Sequence, residues 1–225
     1  MRAVPLALAL LAVPLAGHAQ NQVYDPEPPR GSAYIRFFNG MVEPVEIRPG
    51  FQPAARLGAG TGDRVTRYQV VENVAGRQLG VEVQLRGTRV RGAVTADADG
   101  FVTVLILPGA DGAPRLVAVR EEMNFNRARV RLGAYNTAPG CAAAQLRIEP
   151  GGAAVFDNIP LGEGRQRTVN PAQARVTVAC GPVSSAPFAL EGLEAGASFS
   201  VWAVARPEGG VQGFLTRDET VPWRP

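Results

Sequence analysis

From residue 33 onward, apolar positions recur at every second residue in short runs. These runs are Tyr34–Phe38, Val65–Val71, Val81–Leu85, Val102–Leu107, Val117–Val119, Arg129–Leu132, Val176–Val178 and Phe199–Val204. Period two places alternate side chains on opposite faces of a pleated strand. The runs are separated by turn signals such as Pro49-Gly50, Asp99-Gly100, Pro108-Gly109, Pro150-Gly151 and Gly209-Gly210. No long amphipathic period of 3.6 interrupts them. Many short strands at this spacing predict an all-β fold of the sandwich or barrel type.

The pattern also repeats. AYIRFFN, starting at Ala33, is echoed by ARVRLGAYN, starting at Ala128. Ala33, Ile35, Arg36 and Asn39 find counterparts in Ala128, Val130, Arg131 and Asn136 if two residues are inserted before the second asparagine. Past that insertion, Gly100–Gly109 falls on Ala197–Arg206 and Glu121-Glu122 on Asp218-Glu219. One consistent register at both ends of the two copies predicts two tandem related β-sandwich domains. The expected division is 33–124 and 125–225, with the boundary near Glu122–Arg127.

Pleating assigns faces within the repeated strand. Ile35/Phe37 and Val130/Leu132 read as core faces. Tyr34 and Arg36, and the row Arg127, Arg129 and Arg131, read as facing solvent or a partner. Arg86, Arg89 and Arg91 form a second cluster that suits a solvated strand face or a carboxylate-bearing partner. Trp202, inside FSVWAV, reads as core. Trp223, in the tail TVPWRP, either closes a core or anchors a partner.

Residues 1–19 change the picture most. Arg2, the apolar run Val4–Leu15 and the small residues Gly17 and Ala19 have the layout of a cleaved secretory signal peptide. That run is too short and too broken by Pro5 and Pro14 to span a bilayer. No later segment reads as a membrane span. A proline-rich arm, 20–32, follows. The signal predicts delivery to an oxidising compartment, where Cys141 and Cys180 are expected to form a disulfide.

Cleavage also removes His18, the only histidine, and all 23 basic residues of the chain are arginine. Without His or Lys, the mature chain cannot assemble a Ser-His-Asp, Cys-His or lysine-activated serine nucleophile. Zinc sites that need histidine are lost too, and two cysteines cannot supply four thiolates. Paired carboxylates remain available, but no spacing marks them. We therefore expect no catalytic residues, metal site or cofactor. Removing Arg2 leaves 22 arginines against 20 acids, and no basic run suggests nucleic-acid binding. Gly58-Ala-Gly60-Thr-Gly62 reads as a loop, since no helix or Lys follows. Asp97-Ala-Asp99-Gly100 lacks the later ligands of a calcium loop and reads as a hairpin turn.

The arm and first strand, YDPEPPRGSAYIRFFN from Tyr24 to Asn39, resemble the mature start of the alginate biosynthesis protein AlgF family. Arg167-Thr-Val-Asn170-Pro171 with the strand Ala174–Val178, and Ala128-Arg-Val-Arg131, are similar to further patches of that family. The Cys141/Cys180 pair is not part of the resemblance, and residues 50–99 match poorly. The resemblance implies a periplasmic, non-catalytic adaptor required for O-acetylation of an alginate-type exopolysaccharide. Its implied partners are SGNH-type O-acetyltransferases and a membrane-bound O-acyltransferase, with anionic polysaccharide as a further contact. Tyr34, Arg36, Arg127, Arg129, Arg131 and Trp223 are the candidate contact residues. Two other readings remain open: a uronate-polysaccharide-binding module or lyase using the Arg127/Arg129/Arg131 face, and a periplasmic chaperone or pilus-type sandwich.

Overall fold

The computed structural model describes residues 27–122 and 126–224; the expected signal peptide and the start of the expected proline-rich arm lie outside them. Among the described residues there is no helix, and so none that could cross a membrane. The fold is all-β. The N-terminal half contains β1 (Ala33–Asn39), β2 (Val45–Pro49), β3 (Ala55–Leu57), β4 (Gln69–Val71), β5 (Leu79–Leu85), β6 (Thr88–Val94), β7 (Phe101–Pro108) and β8 (Pro114–Glu121). The C-terminal half contains β9 (Val130–Asn136), β10 (Ala143–Glu149), β11 (Ala154–Pro160), β12 (Gly164–Val169) and β13 (Ala174–Cys180). It continues with β14 (Val183–Ser184), β15 (Phe188–Leu190), β16 (Ser198–Ala205) and β17 (Val211–Arg217).

These strands form four sheets, two in each half. The N-terminal sheets run β4-β1-β7-β8 and β3-β2-β5-β6. The C-terminal sheets run β12-β9-β16-β17 and β11-β10-β13-β14, with β15 also on β13. Apart from β15, the orders correspond strand for strand. β1 pairs parallel with β7, as β9 does with β16. Each half encloses its own apolar core between its two sheets.

Sequence pattern distinguishes outer from inner sheets. β2 and β5 alternate: Val45, Ile47, Leu79, Val81 and Val83 point into the core, while Glu46, Arg48 and Glu82 point out. β10 does the same with Ala144 and Leu146 in, and Arg147 out. β1, β7, β9 and β16 are instead buried along nearly their whole length. A strand covered on both faces needs a near-continuous apolar run, and FVTVLILP and SFSVWAVA supply it. Their second faces meet across the molecule in a third core of Phe38, Leu105, Leu107, Tyr135, Trp202, Val204 and Phe214. The sheets containing β1 and β9 therefore pack against each other, joining the halves.

The register corrects the sequence alignment. Ile35 lies opposite Val102 and Leu132 opposite Phe199, so both strands of the pair are offset by 97 residues between halves. The offset is 97 along the whole of β1 and β9, with no insertion inside them. Asn39 and Asn136 are true equivalents. Each is fully buried and accepts the N–H two residues on, from Met41 or Ala138. Each also donates to carbonyls of the facing strands' ends, Gly58 at 2.7 Å and Ile159 at 3.0 Å. The repeated asparagine is a turn lock. Arg36 and Arg131, by contrast, are not equivalent; Gly133 stands where Arg36 does.

Two smaller expectations also change. The run Val65–Val71 is a strand only from Gln69, preceded by single bridges from Val65 to Phe38 and from Tyr68 to Thr220. Asp97–Gly100 is a turn, with Asp99 at φ 60° and the Gly100 N–H on the Asp97 carbonyl. It is not a hairpin, because β6 and β7 belong to different sheets.

Cys141 and Cys180 are disulfide-bonded across 39 residues, tying the turn after β9 to the end of β13. On the chain-entropy model this loop contributes about 3–4 kcal/mol. Reduction, or Cys141→Ser with Cys180→Ser, is expected to lower stability in urea unfolding by that amount. A loss under about 1 kcal/mol would show that the bridge is incidental.

Candidate functional site

The inner faces of β1 and β9 bring together the two arginines that the sequence placed toward solvent or a partner. The correction is plain: Arg36 and Arg131 have side chains no more than 4% exposed. Their partners are acids of the same chain. Arg36 donates from Nη1 to Asp218 Oδ1 at 2.5 Å and from Nε to Thr103 Oγ1 at 2.8 Å. Its Nη2 reaches Ser200 Oγ at 2.9 Å, and Glu121 Oε1 and Tyr135 Oη at 3.4 Å. Arg131 donates to Glu121 Oε2, to Asp218 Oδ2 at 3.4 Å and to the Glu122 carbonyl at 3.2 Å.

Each acid is therefore held by one arginine from each half. Each also receives a hydroxyl from the adjacent strand of its own sheet: Thr103 for Glu121, and Ser200, at 2.9 Å, for Asp218. These pairs obey the 97-residue offset, Thr103 with Ser200 and Glu121 with Asp218. The arginines break it. A Cβ on Gly133 would lie 3.0 Å from the ring of Tyr135. Arg131 serves from one pleat earlier on the same face instead.

Two positive and two negative charges closed off from water form a neutral set. Burial by itself would push the Glu121 carboxyl up. Arg36 and Arg131, with hydrogen bonds from Thr103 and Tyr68, outweigh it and hold the group at about 2. Burial, reinforced by Glu121, raises the Tyr135 hydroxyl well above its ordinary range. Burial raises Tyr68 as well, against the opposing pull of Arg36. Tyr68 donates to Glu121 Oε1 at 2.6 Å, and its ring lies under the Arg36 guanidinium at 4.4 Å. Neither Glu121 nor these tyrosines is poised to exchange a proton near neutral pH. The arrangement is a lock between halves.

The depressed Glu121 value sets a pH window. The folded group titrates at about 2 and the unfolded one at 4.5, so its stabilisation is fully present above pH 4.5 and lost as pH falls through 2. That depression corresponds to about 3 kcal/mol, of which about 2 should be gone by pH 3. Urea midpoints between pH 6 and pH 3 should fall more steeply in the native chain than in Glu121→Gln. Parallel slopes would contradict this role for Glu121.

The other predicted residues are scattered. Tyr34 is half-buried and stacks on Phe101, centroids 4.4 Å apart. Arg127 and Arg129 precede β9 and are exposed, so the expected row of three arginines on one strand face does not form. Trp223 donates to Glu72 Oε1 at 2.9 Å, and just before it the tail pairs with Tyr68, whose N–H donates to the Glu219 carbonyl and whose carbonyl accepts the Val221 N–H. Its anchor is the N-terminal half of its own chain. Arg86 pairs with Glu43, while Arg89 and Arg91 both flank Glu82 on the outer sheet face. Such exposed pairs contribute little to stability. Trp202 is fully buried, but in the junction between halves.

Sequence reasoning missed Glu121, Asp218, Thr103, Ser200, Tyr68 and Tyr135 as members of one site. A signal did exist: the repeat kept an acid at the end of β8 and just past the end of β17.

Beside the lock, a crevice of about 500 Å3 opens between the loop preceding β4 and strand β17. Among the described residues, no group of three or more acidic, His or Cys side chains is placed to hold a metal ion. Compared with protein-family models and with curated proteins, the chain matches none.

Proposed function

We propose that this chain is a periplasmic, non-catalytic adaptor required for O-acetylation of an alginate-type exopolysaccharide. In this reading, a cleaved signal peptide and proline-rich arm precede two tandem related β-sandwich domains. The chain links membrane acetyl-donor machinery to SGNH-type acetyltransferases. The matching strand order of the two halves and the equivalence of Asn39 with Asn136 support the tandem relationship. The resemblance of the arm and first strand to the AlgF family supports the pathway.

The observation that carries the adaptor role is the junction. Its charges are spent within the chain, and it holds two polar outer sheets on opposite sides of one body. A connector needs two faces at a fixed spacing. An acyl-transfer enzyme needs an activated nucleophile, for which a mature chain without His or Lys is poorly equipped.

The test is to co-express the tagged mature chain with an SGNH-type transferase and a membrane-bound O-acyltransferase from the same organism. Co-purification with the transferase, and loss of polymer acetylation when the chain is deleted, are expected. Acetylesterase activity of the isolated chain, or unchanged acetylation without it, would defeat the reading.

A further inference from the structure

The outer sheet of the N-terminal half carries a charge pattern that its counterpart lacks. Pleating turns Val45, Ile47, Leu57, Val81 and Val83 into the core, so the residues between them face outward. Register sets these in two rows across the sheet. One row is Arg56, Glu46, Gln84 and Arg89; the next is Arg48, Glu82 and Arg91. Four arginines stand there against two glutamates. That surplus equals the surplus of arginine over acid in the whole chain from residue 20 on, so everything else balances. Glu82 sits among three guanidiniums, Arg91 at 3.1 Å, Arg48 at 3.6 Å and Arg89 at 3.7 Å, and can neutralise only one of them. Glu46 lies 3.4 Å from Arg48. Arg56 is exposed and forms no ion pair with any described residue.

The C-terminal half is an internal control. Its core pair Leu146–Val178 takes the place of Ile47–Val83, so Glu46, Glu82 and Gln84 correspond to Gln145, Thr177 and Ala179. Ser184 stands opposite Ala179, where Arg89 stands opposite Gln84. The strand then breaks between β14 and β15, where Arg91 would follow. Only Arg48 keeps a charged counterpart, Arg147, and that side chain turns to Gln145 Oε1. The charges are therefore not a condition of the fold, and exposed pairs of this kind add little stability. Edge protection accounts for arginine on β3 and β6. It does not account for Arg48 and Glu82, which lie on the inner strands β2 and β5.

We infer that this face is a docking surface for a carboxylate-bearing face of a partner protein, with Arg48, Arg56, Arg89 and Arg91 as its anchors. Guanidiniums bind carboxylates through paired hydrogen bonds. The two rows contain no aromatic side chain, so a sugar ring finds no flat apolar plate to lie on. Glu46 and Glu82, set among the arginines, repel a uniformly anionic polymer. A protein surface can set carboxylates against the arginines and donors against the acceptors between them. One such acceptor is unused: Gln84 Oε1 is buried and accepts no hydrogen bond from any described residue. It borders a hollow of about 140 Å3 shared with Glu46, Arg56 and Arg86. Matching charge across such a face governs association rate and partner choice. The partner rests on the adaptor reading above; the face rests on register and charge.

Calorimetric titration of the full mature chain with the SGNH-type transferase tests it. Arg56→Ala with Arg91→Ala should weaken binding about a hundredfold, about tenfold for each charge-assisted contact. Arg147→Ala with Arg175→Ala, on the outer sheet of the other half, should leave affinity within about twofold. Added salt should weaken native binding, and should weaken the Arg56/Arg91 variant less steeply. Thermal midpoints of both variants should stay unchanged, since all four side chains are exposed. Undiminished affinity in the Arg56/Arg91 variant overturns this inference and leaves the adaptor standing. So does an equal loss in the Arg147/Arg175 variant. Aggregation of the Arg56/Arg91 variant in light scattering, with the affinity of its soluble fraction intact, assigns the arginines to edge protection instead. Binding of a uronic acid hexasaccharide that the Arg56/Arg91 change abolishes, with transferase affinity kept, overturns the partner class. A native chain that captures no transferase defeats the adaptor reading itself, and this partner with it.

Discussion

Replacing Arg36 with alanine is expected to destabilise the protein by about 3–5 kcal/mol, the range found when one partner of a buried ion pair is removed. Arg36 serves both carboxylates, so its loss leaves Glu121 and Asp218 sharing Arg131 in a site closed to water. It also removes a donor to the Ser200 and Thr103 hydroxyl oxygens and the cation above the Tyr68 ring. The upward push of burial on Glu121 is then opposed by one guanidinium instead of two. Acid unfolding should therefore begin at a higher pH in Arg36→Ala than in the native chain. Arg36→Lys keeps the charge but not the planar fork that reaches several acceptors, and should fall between the two. Urea unfolding at pH 7 and pH 5 measures both effects. A loss below 1 kcal/mol for Arg36→Ala would mean that the network is not what couples the halves.

That arginine also marks where the sequence could be read and where it could not. The core faces Ile35/Phe37 and Val130/Leu132 were legible because period two needs only neighbours in sequence. The opposite face was not. A charged residue off the core face reads as exposed unless its counter-charges are known, and those of Arg36 lie 85 and 182 residues away. The alignment error has a related cause. Matching Arg36 to Arg131 shifted the copies by two residues, and a slip of two preserves every face assignment, whereas a slip of one would invert it and show itself. Polar strands such as β6 (TRVRGAV) and β12 (GRQRTV) lie at sheet edges and bury too little on either face to alternate. The disulfide was legible because two cysteines behind a predicted secretory signal leave few alternatives. The crevice was not, because it depends on a difference in loop length seen only once β3–β4 and β11–β12 are superposed in topology.

The second large effect is expected at Trp202. Its ring is fully buried between Phe38, 3.8 Å away and nearly parallel, and Tyr135 at 4.5 Å, with its Nε1 donating to Thr216 Oγ1 at 2.8 Å. Trp202→Ala should cost about 3–5 kcal/mol, as large-to-small changes at buried aromatic sites do. The location of the loss matters more than its size. Trp202 lies outside both half cores, so the variant should keep each core and weaken what joins them. The native chain should unfold in one transition by every probe. In Trp202→Ala, the remaining Trp223 reports the tail on the N-terminal half, while far-ultraviolet dichroism reports all the strands. The two curves should separate. A cycle with Phe38→Ala should give a coupling of about 1 kcal/mol for the stacked pair. If the halves separate and transferase capture falls with them, the fixed spacing of the outer faces is what the adaptor uses. If capture survives the separation, one half alone carries the contact, and the junction serves stability instead.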